Sequence, residues 1–200
     1  LITGFQAKMF SKYKKYFKSF FHNKDFRKTN MVYSLFKGKE LFDGKSDIII
    51  SYGDIIFEKK ILEKLLNSNK KISIVVDKQW KNLWSIRMDD PLKDIESLKI
   101  NKKKQVISIG KKVTSFSEVD AQYIGLTKIR KDFTIDFFKI WDQKLKDKNL
   151  YMTDYLQFLI DENIVISPVS IKNGWLEFDT QKDLRNYLQA YKNGILKIDI

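Results

Sequence analysis

Two aspartates stand where carboxylates can do metal chemistry. Asp54 follows the apolar run at 47–52, and Gly53 between them allows a tight turn. Asp179 follows the run Trp175–Phe178 and comes just before Thr180-Gln181-Lys182-Asp183, which matches a capping box. In open α/β sheets ligands bind beyond the carboxyl ends of the strands. If the two runs are neighbouring strands, both carboxylates project onto one rim. Two aspartates there supply hard oxygen donors of the kind Mg²⁺ shares with water and substrate phosphate. A helix starting at Thr180 adds positive potential beside Asp179, which favours its ionised form and a nearby phosphate. A plainer reading stands beside this one, because aspartate is common both in turns after strands and at helix N-termini.

Other chemistries are closed to the chain. It has no cysteine, which excludes disulfides, zinc–thiolate sites, iron–sulfur clusters and thiol nucleophiles. A single histidine, His22, excludes multi-histidine metal sites and leaves a Ser–His–Asp triad one candidate base. Its setting, Phe21-His22-Asn23-Lys24-Asp25, reads as surface or capping. At 43% hydrophobic the 200 residues can bury a core. No apolar run approaches the roughly 20 residues of a membrane span, and no secretory h-region is visible. A cytoplasmic protein without a membrane partner is expected.

The net charge is +13, from 38 basic and 25 acidic residues. A basic α/β module that binds nucleic acid is the rival that charge suggests. Nearly all the basic residues are lysines, with arginine only at Arg27, Arg87, Arg130 and Arg185. Phosphate-clamping surfaces favour the arginine fork, so nucleic acid is not the expected partner. The clusters Lys102–Lys104 and Lys111-Lys112 suit a solvated face, or a field that draws in a phosphorylated substrate. Trp80 and Trp84 suit either an aromatic wall for an ammonium group or packing inside a lid or core. Asp89 and Asp90 could bind a cationic head group.

The elements that must position these residues alternate between helical and extended patterns. Residues 6–21 place Met9, Tyr13, Phe17 and Phe20 at helical spacing, predicting an amphipathic helix whose aromatic side packs on the sheet. Asn30 caps a second helix with Val32, Leu35 and Phe36 inward. Residues 47–52 and 71–77 read as buried parallel strands, with a helix at 58–67 between them. Residues 79–101 read as a long loop with irregular pieces. Strands, with an antiparallel hint, follow at 105–115 and 120–128. A long helix is expected at 131–148, then one capped by Thr153 through Glu162. Strands follow at 164–170 and 175–179, and a last helix runs from the Thr180 box to Tyr191, ended by Asn193-Gly194. The alternation predicts one α/β domain over residues 1–200, a Rossmann-like three-layer α/β/α sandwich on a mostly parallel mixed sheet.

Five segments, in order, carry a family resemblance. Tyr52-Gly53-Asp54-Ile55-Ile56-Phe57 resembles the Gly-Asp motif of the nucleotidyltransferases that make NDP-sugars and CDP-alcohols. Gly174-Trp175-Leu176-Glu177-Phe178-Asp179, followed by Asp183-Leu184, resembles their late Trp-x-Glu-x-Asp motif. Tyr123-Ile124-Gly125-Leu126 resembles a central strand, Thr29-Asn30 through Ser34-Leu35 a helix start, and Thr3-Gly4-Phe5 a turn. Val75-Val76-Asp77-Lys78-Gln79-Trp80 and Ile109-Gly110-Lys111 are most similar to the cytidylyltransferase-like branch, which includes phosphocholine cytidylyltransferases and domains attached to phosphoenolpyruvate mutases.

The resemblance implies transfer of NMP from an NTP, CTP in this branch, to a phosphorylated or phosphonate acceptor of the phosphocholine or aminoethylphosphonate type. A sugar-1-phosphate acceptor is the alternative. It implies Mg²⁺ on Asp54 and Asp179, with Tyr52 and Gly53 beside the nucleotide. Glu177, Trp175, Trp80 and Tyr123 would lie on the acceptor side, and Lys111 would act on phosphate. The family's opening strand and Gly-rich phosphate loop have no match here, since the eight glycines are scattered. The chain is therefore expected to be N-terminally incomplete and inactive, or nearly so, alone. A fused or homo-oligomeric partner domain is compatible with this reading.

Overall fold

The computed structural model describes residues 1–199. In chain order the elements are β1 (Ile2–Thr3), a 3₁₀ winding over Ala7–Tyr16, β2 (Phe21–His22), α1 (Met31–Leu35), β3 (Ile48–Ser51), β4 (Ile55–Phe57), α2 (Lys59–Leu66), β5 (Ile72–Asp77), α3 (Trp80–Arg87), β6 (Glu96–Ile100), β7 (Val106–Lys112), β8 (Gln122–Ile129), α4 (Lys131–Ile140), α5 (Met152–Asp161), β9 (Ile166–Ile171), β10 (Trp175–Glu177) and α6 (Gln181–Lys192). Six strands form the central sheet in the order β3-β8-β5-β9-β7-β6. β3, β5, β9 and β6 share one direction, and the reversed β8 and β7 sit between them. The sheet is thus mixed and mostly parallel by strand direction, although β5–β9 is its one directly bonded parallel pair. β1–β2 and β4–β10 form separate two-stranded pairs.

The buried run at 72–77 makes β5 the spine. All six of its residues are buried, and alternation sends them to opposite faces. Ile72, Ile74 and Val76 join Phe133 and Phe137 of α4 and Tyr155 and Leu156 of α5. Val75 joins Ile61 and Leu65 of α2, Trp80 and Trp84 of α3, and Tyr187 of α6. These two cores make the three expected layers. Each fully buried aliphatic side chain contributes roughly 1.5–3 kcal/mol, so the spine dominates local stability.

Several local expectations need correction. Residues 6–21 do not form a packed amphipathic α-helix. Gln6 adopts φ 49°, the segment winds as 3₁₀, and none of residues 7–16 is buried. Tyr16 is 68% exposed. Helical stability in proteins comes mainly from packing an apolar face, and among the described residues nothing covers this one. Residues 79–101 are not a loop. Trp80, Leu83, Trp84 and Arg87 fall on one buried helical face, and β6 follows as the sheet edge paired with β7. The helix expected at 131–148 passes into a π-helical turn at Trp141–Leu145 and stops at Lys146, which is left-handed. The helix expected from a Thr153 cap starts two residues earlier, with Tyr151 as its cap. The Asn30 cap and the Thr180 box form as expected. No helix among the described residues is long and apolar enough to cross a membrane.

One glycine shows how the backbone shapes the site. Gly125 in β8 has φ +80°, and a Cβ there would lie 2.5 Å from the Tyr52 ring. Tyr52 N–H donates to the Gly125 carbonyl at 3.0 Å, so ring and backbone pack as a unit. Gly125→Ala is expected to cost about 2–4 kcal/mol in urea denaturation, from positive-φ strain plus the clash, and to move Tyr52.

Candidate active site

β4 and β10 run antiparallel, with Glu177 opposite Ile55. The next bond along is Phe178 N–H to the Asp54 carbonyl, at 2.9 Å. Asp54 precedes β4 and Asp179 follows β10, so an antiparallel ribbon must bring both to the same end. Asp54 and Asp179 line one cavity of about 260 Å³ together with Glu177, Tyr52 and Tyr123. Asp94, Glu96, Trp84, Tyr151 and Thr153 line it as well. Five carboxylates therefore meet in one small space on a chain of net charge +13.

The ribbon is anchored from both ends. Asp77, fully buried at the end of β5, accepts Trp175 Nε1 at 3.0 Å, Asn173 N–H at 3.0 Å and Gln79 N–H at 2.8 Å. Beyond Asp179, Asp183 Oδ2 accepts the N–H groups of Asp179 and Thr180 at 3.1 and 2.8 Å. Main-chain bonds thus fix where the Glu177 and Asp179 side chains leave the backbone.

Arg87 is the cation among these acids. Its side chain is 1% exposed. Nη1 donates to Glu177 Oε2 at 2.6 Å, and Nη2 donates to Asp179 Oδ2. Asp94 and Asp183 carboxylate oxygens lie 3.6 Å from the guanidinium. Burial pushes the Glu177 carboxyl up to about 7, against the pull of Arg87 and with Asp179 and Asp54 adding to the rise. Burial also raises Asp54, and Asp179 raises it further. Glu96 is raised by burial, partly offset by a hydrogen bond from Thr153.

The remaining predicted site residues fall elsewhere. Trp80 is buried against Trp84 and Phe116 and does not line this cavity. Trp175 is buried and faces another cleft, with Leu83 and Ile86. Gly53 opens onto a neighbouring cleft lined by Ile2, Met31 and Ile50. Lys111, near the end of β7, lies outside the cavity lining. Asp90 pairs with Lys93 at 3.5 Å. His22 Nδ1 lies 3.3 Å from Thr3 Oγ1, on the surface. Sequence reasoning missed Asp94, Glu96 and Tyr151 as cavity residues, and Arg87 as the buried cation behind them. For Arg87 the signal was present: an arginine on the apolar stripe of a helix must find carboxylate partners.

No protein-family model matches the chain. It is 38% identical over 177 residues to the CTP:phosphoglutamine cytidylyltransferase of Campylobacter jejuni subsp. jejuni, covering 82% of this chain and 70% of that protein. The chain belongs to the nucleotidyltransferase family, in its cytidylyltransferase-like branch. Two solved structures share the fold. The inositol-1-phosphate CTP transferase from T. maritima superposes with a TM-score of 0.64 at 18% identity, over 90% of this chain and 68% of that one. A glucose-1-phosphate thymidylyltransferase from Bacillus anthracis, solved with sucrose, gives 0.65 at 15% identity, over 96% and 72%.

The donor set of this nucleotidyltransferase site fits a hard divalent ion. Among the described residues no group of three or more His, Cys, Asp or Glu side chains could hold a metal alone. Two aspartates on one rim leave the other positions to water and substrate phosphate, which is how Mg²⁺ is usually held. The guanidinium on Asp179 shows that this carboxylate already accepts a cation.

The raised carboxyl of Glu177 makes stability depend on pH. Between pH 4.5 and about 7 the folded protein keeps a proton that the unfolded chain has lost, so stability falls as pH rises through this window. The lowered carboxylates, such as Asp47 and Asp132, act with the opposite sign and below that window. Urea unfolding without metal should show a loss on the order of 1–3 kcal/mol from pH 4.5 to 7.5. Glu177→Gln should flatten this slope.

Proposed function

We propose that this protein is a Mg²⁺-dependent cytidylyltransferase, moving CMP from CTP to an oxygen of a small phosphorylated or phosphonate acceptor and releasing pyrophosphate. One observation carries the reading: Asp54 and Asp179 leave the same end of the β4–β10 ribbon into a shared cavity. The 38% identity to an enzyme named for CTP and phosphoglutamine supports it.

An acceptor phosphate is already ionised near neutral pH, so its attack on the α-phosphorus needs no side-chain base. The new P–O bond forms as the bond to pyrophosphate breaks, and charge builds on the phosphoryl oxygens. Catalysis is then positioning plus electrostatic stabilisation. Mg²⁺, when bound, would supply positive charge against those oxygens, and Asp54 and Asp179 are the residues that would hold it. Tyr52 and Tyr123 wall the cavity and exclude water.

The acceptor in this reading also carries a cationic nitrogen, as phosphocholine and aminoethylphosphonate do. Support comes from the rest of the cavity lining, where Asp94 and Glu96 stand with Tyr52, Tyr123, Tyr151 and Trp84. Carboxylates and aromatic faces together suit an ammonium group. A cytoplasmic location is consistent with such an enzyme.

Among the described residues there is no Gly-rich phosphate loop, so the assay uses the protein as its gene encodes it. Pyrophosphate release is followed with CTP and phosphocholine, aminoethylphosphonate or phosphoglutamine, against UTP or dTTP with glucose-1-phosphate. CTP with one of the nitrogen-bearing acceptors should win. Asp54→Asn and Asp179→Asn should each lower kcat by roughly 10²–10³-fold. Full activity in both variants would sink the metal assignment. Preference for glucose-1-phosphate would overturn the acceptor assignment.

A further inference from the structure

Arg87 is held more tightly than a surface ion-pair partner. It ends α3, and α6 pins that end, because Asn186 Nδ2 donates to the Ile86 and Arg87 carbonyls at 3.0 and 3.2 Å. The guanidinium lies 5.2 Å from the centre of the Trp84 ring. Its two Nη groups divide between two carboxylates, Glu177 and Asp179, and Nε has no hydrogen-bond partner. A fork that could clamp one carboxylate with two bonds instead spans two.

Those two carboxylates differ. Glu177 is 21% exposed and Asp179 46%. Glu177 is the inner partner, and Asp179 is the one an entering ion can reach. Asp179 would also keep its place if released, since its N–H stays on Asp183.

We propose that Arg87 is the resident counter-cation of the site, a positioning residue that holds Asp179 and Glu177 toward the cavity before metal enters, then yields Asp179 to the divalent ion while keeping Glu177. The proposal rests on the metal reading above. It assigns Arg87 a changing partner rather than a fixed strut between α3 and β10. Two like-charged carboxylates facing a cavity repel, and a buried cation between them prevents either from turning away. An ion arriving at Asp179 meets a positive charge it must push aside, so Arg87 makes metal bind more weakly than the bare aspartates would.

Mn²⁺, counted by electron paramagnetic resonance on the whole protein without nucleotide, is the probe. Arg87→Met removes the competing charge and should tighten Mn²⁺ roughly three- to tenfold, while kcat falls because Glu177 and Asp179 lose their tether. Arg87→Lys should return Mn²⁺ affinity toward the wild-type value. A merely structural arginine would give the opposite sign, with weaker Mn²⁺ binding in Arg87→Met. In the wild type, the Arg87 side-chain nitrogen resonances should shift as Mg²⁺ is added. An Arg87→Met affinity equal to or below wild type overturns the proposal, and so do unmoved Arg87 resonances at saturating Mg²⁺. If Arg87→Met fails to fold, the resonance measurement decides alone. Asp54→Asn separates the two ideas. If it leaves Mn²⁺ binding unchanged, the metal reading itself fails; if it weakens binding while Arg87→Met does not tighten it, only the role of Arg87 fails.

Discussion

The site depends on one electrostatic constraint, which is that carboxylates crowded into a partly dry cavity need a cation of their own. Five acids line the cavity, and one guanidinium is buried among them. Without it, like charges at short range in a low dielectric would turn outward or take up protons. The surrounding fold reads as a way of keeping that guanidinium in place. α3 packs against α6, Trp84 lies beside the charge, and the Thr180 box fixes the strand end that carries Glu177 and Asp179. The cost of burying Arg87 is offset by Glu177, Asp94 and Asp179, whose carboxylates hold its charge on.

The cavity also reverses the sign of the molecule around it. A chain of net charge +13 attracts phosphorylated ligands over long range. At short range the ligand meets carboxylates, which favour a divalent ion or a nitrogen cation and disfavour a bare phosphate. The two fields act at different distances. The first draws anions toward the protein, and the second favours positive charge at the cavity itself.

Much of this was legible in the sequence, for identifiable reasons. The β5 run, the Asn30 cap and the Thr180 box are local patterns, and each formed where its residues predicted. The meeting of Asp54 with Asp179 agrees with the family motifs, but the strand at 47–52 is not what joins them: β4, which the apolar pattern does not single out, pairs with β10. Arg87 is less evident, because the mixed polar and apolar pattern of 79–101 resembles a loop, although Trp80, Leu83, Trp84 and Arg87 keep helical spacing. Glu96 and Asp94 could not be found locally, because only the pairing of β6 with β7 and the placement of that edge bring them to the cavity. Trp80 and Trp175, expected on the acceptor side, lie in the core, since indole rings bury large areas and Asp77 satisfies the Trp175 N–H. The aromatic residues of 6–21 failed the other way, with helical spacing but no surface to pack on.

The ribbon that carries Asp179 is synthesised well after the helix that carries Arg87. Arg87 and its partner Asp179 are 92 residues apart, and Trp175 and Asp77 are 98 apart. Contacts of such span close large loops and form slowly. A ribosome releasing this chain therefore exposes Arg87 on α3 well before any of the acids on β10 exists. Until then its charge has only nearby partners such as Asp94. The acidic cavity is complete only once β10 exists and has paired with β4, so its five carboxylates come together after the sheet that backs them has been made.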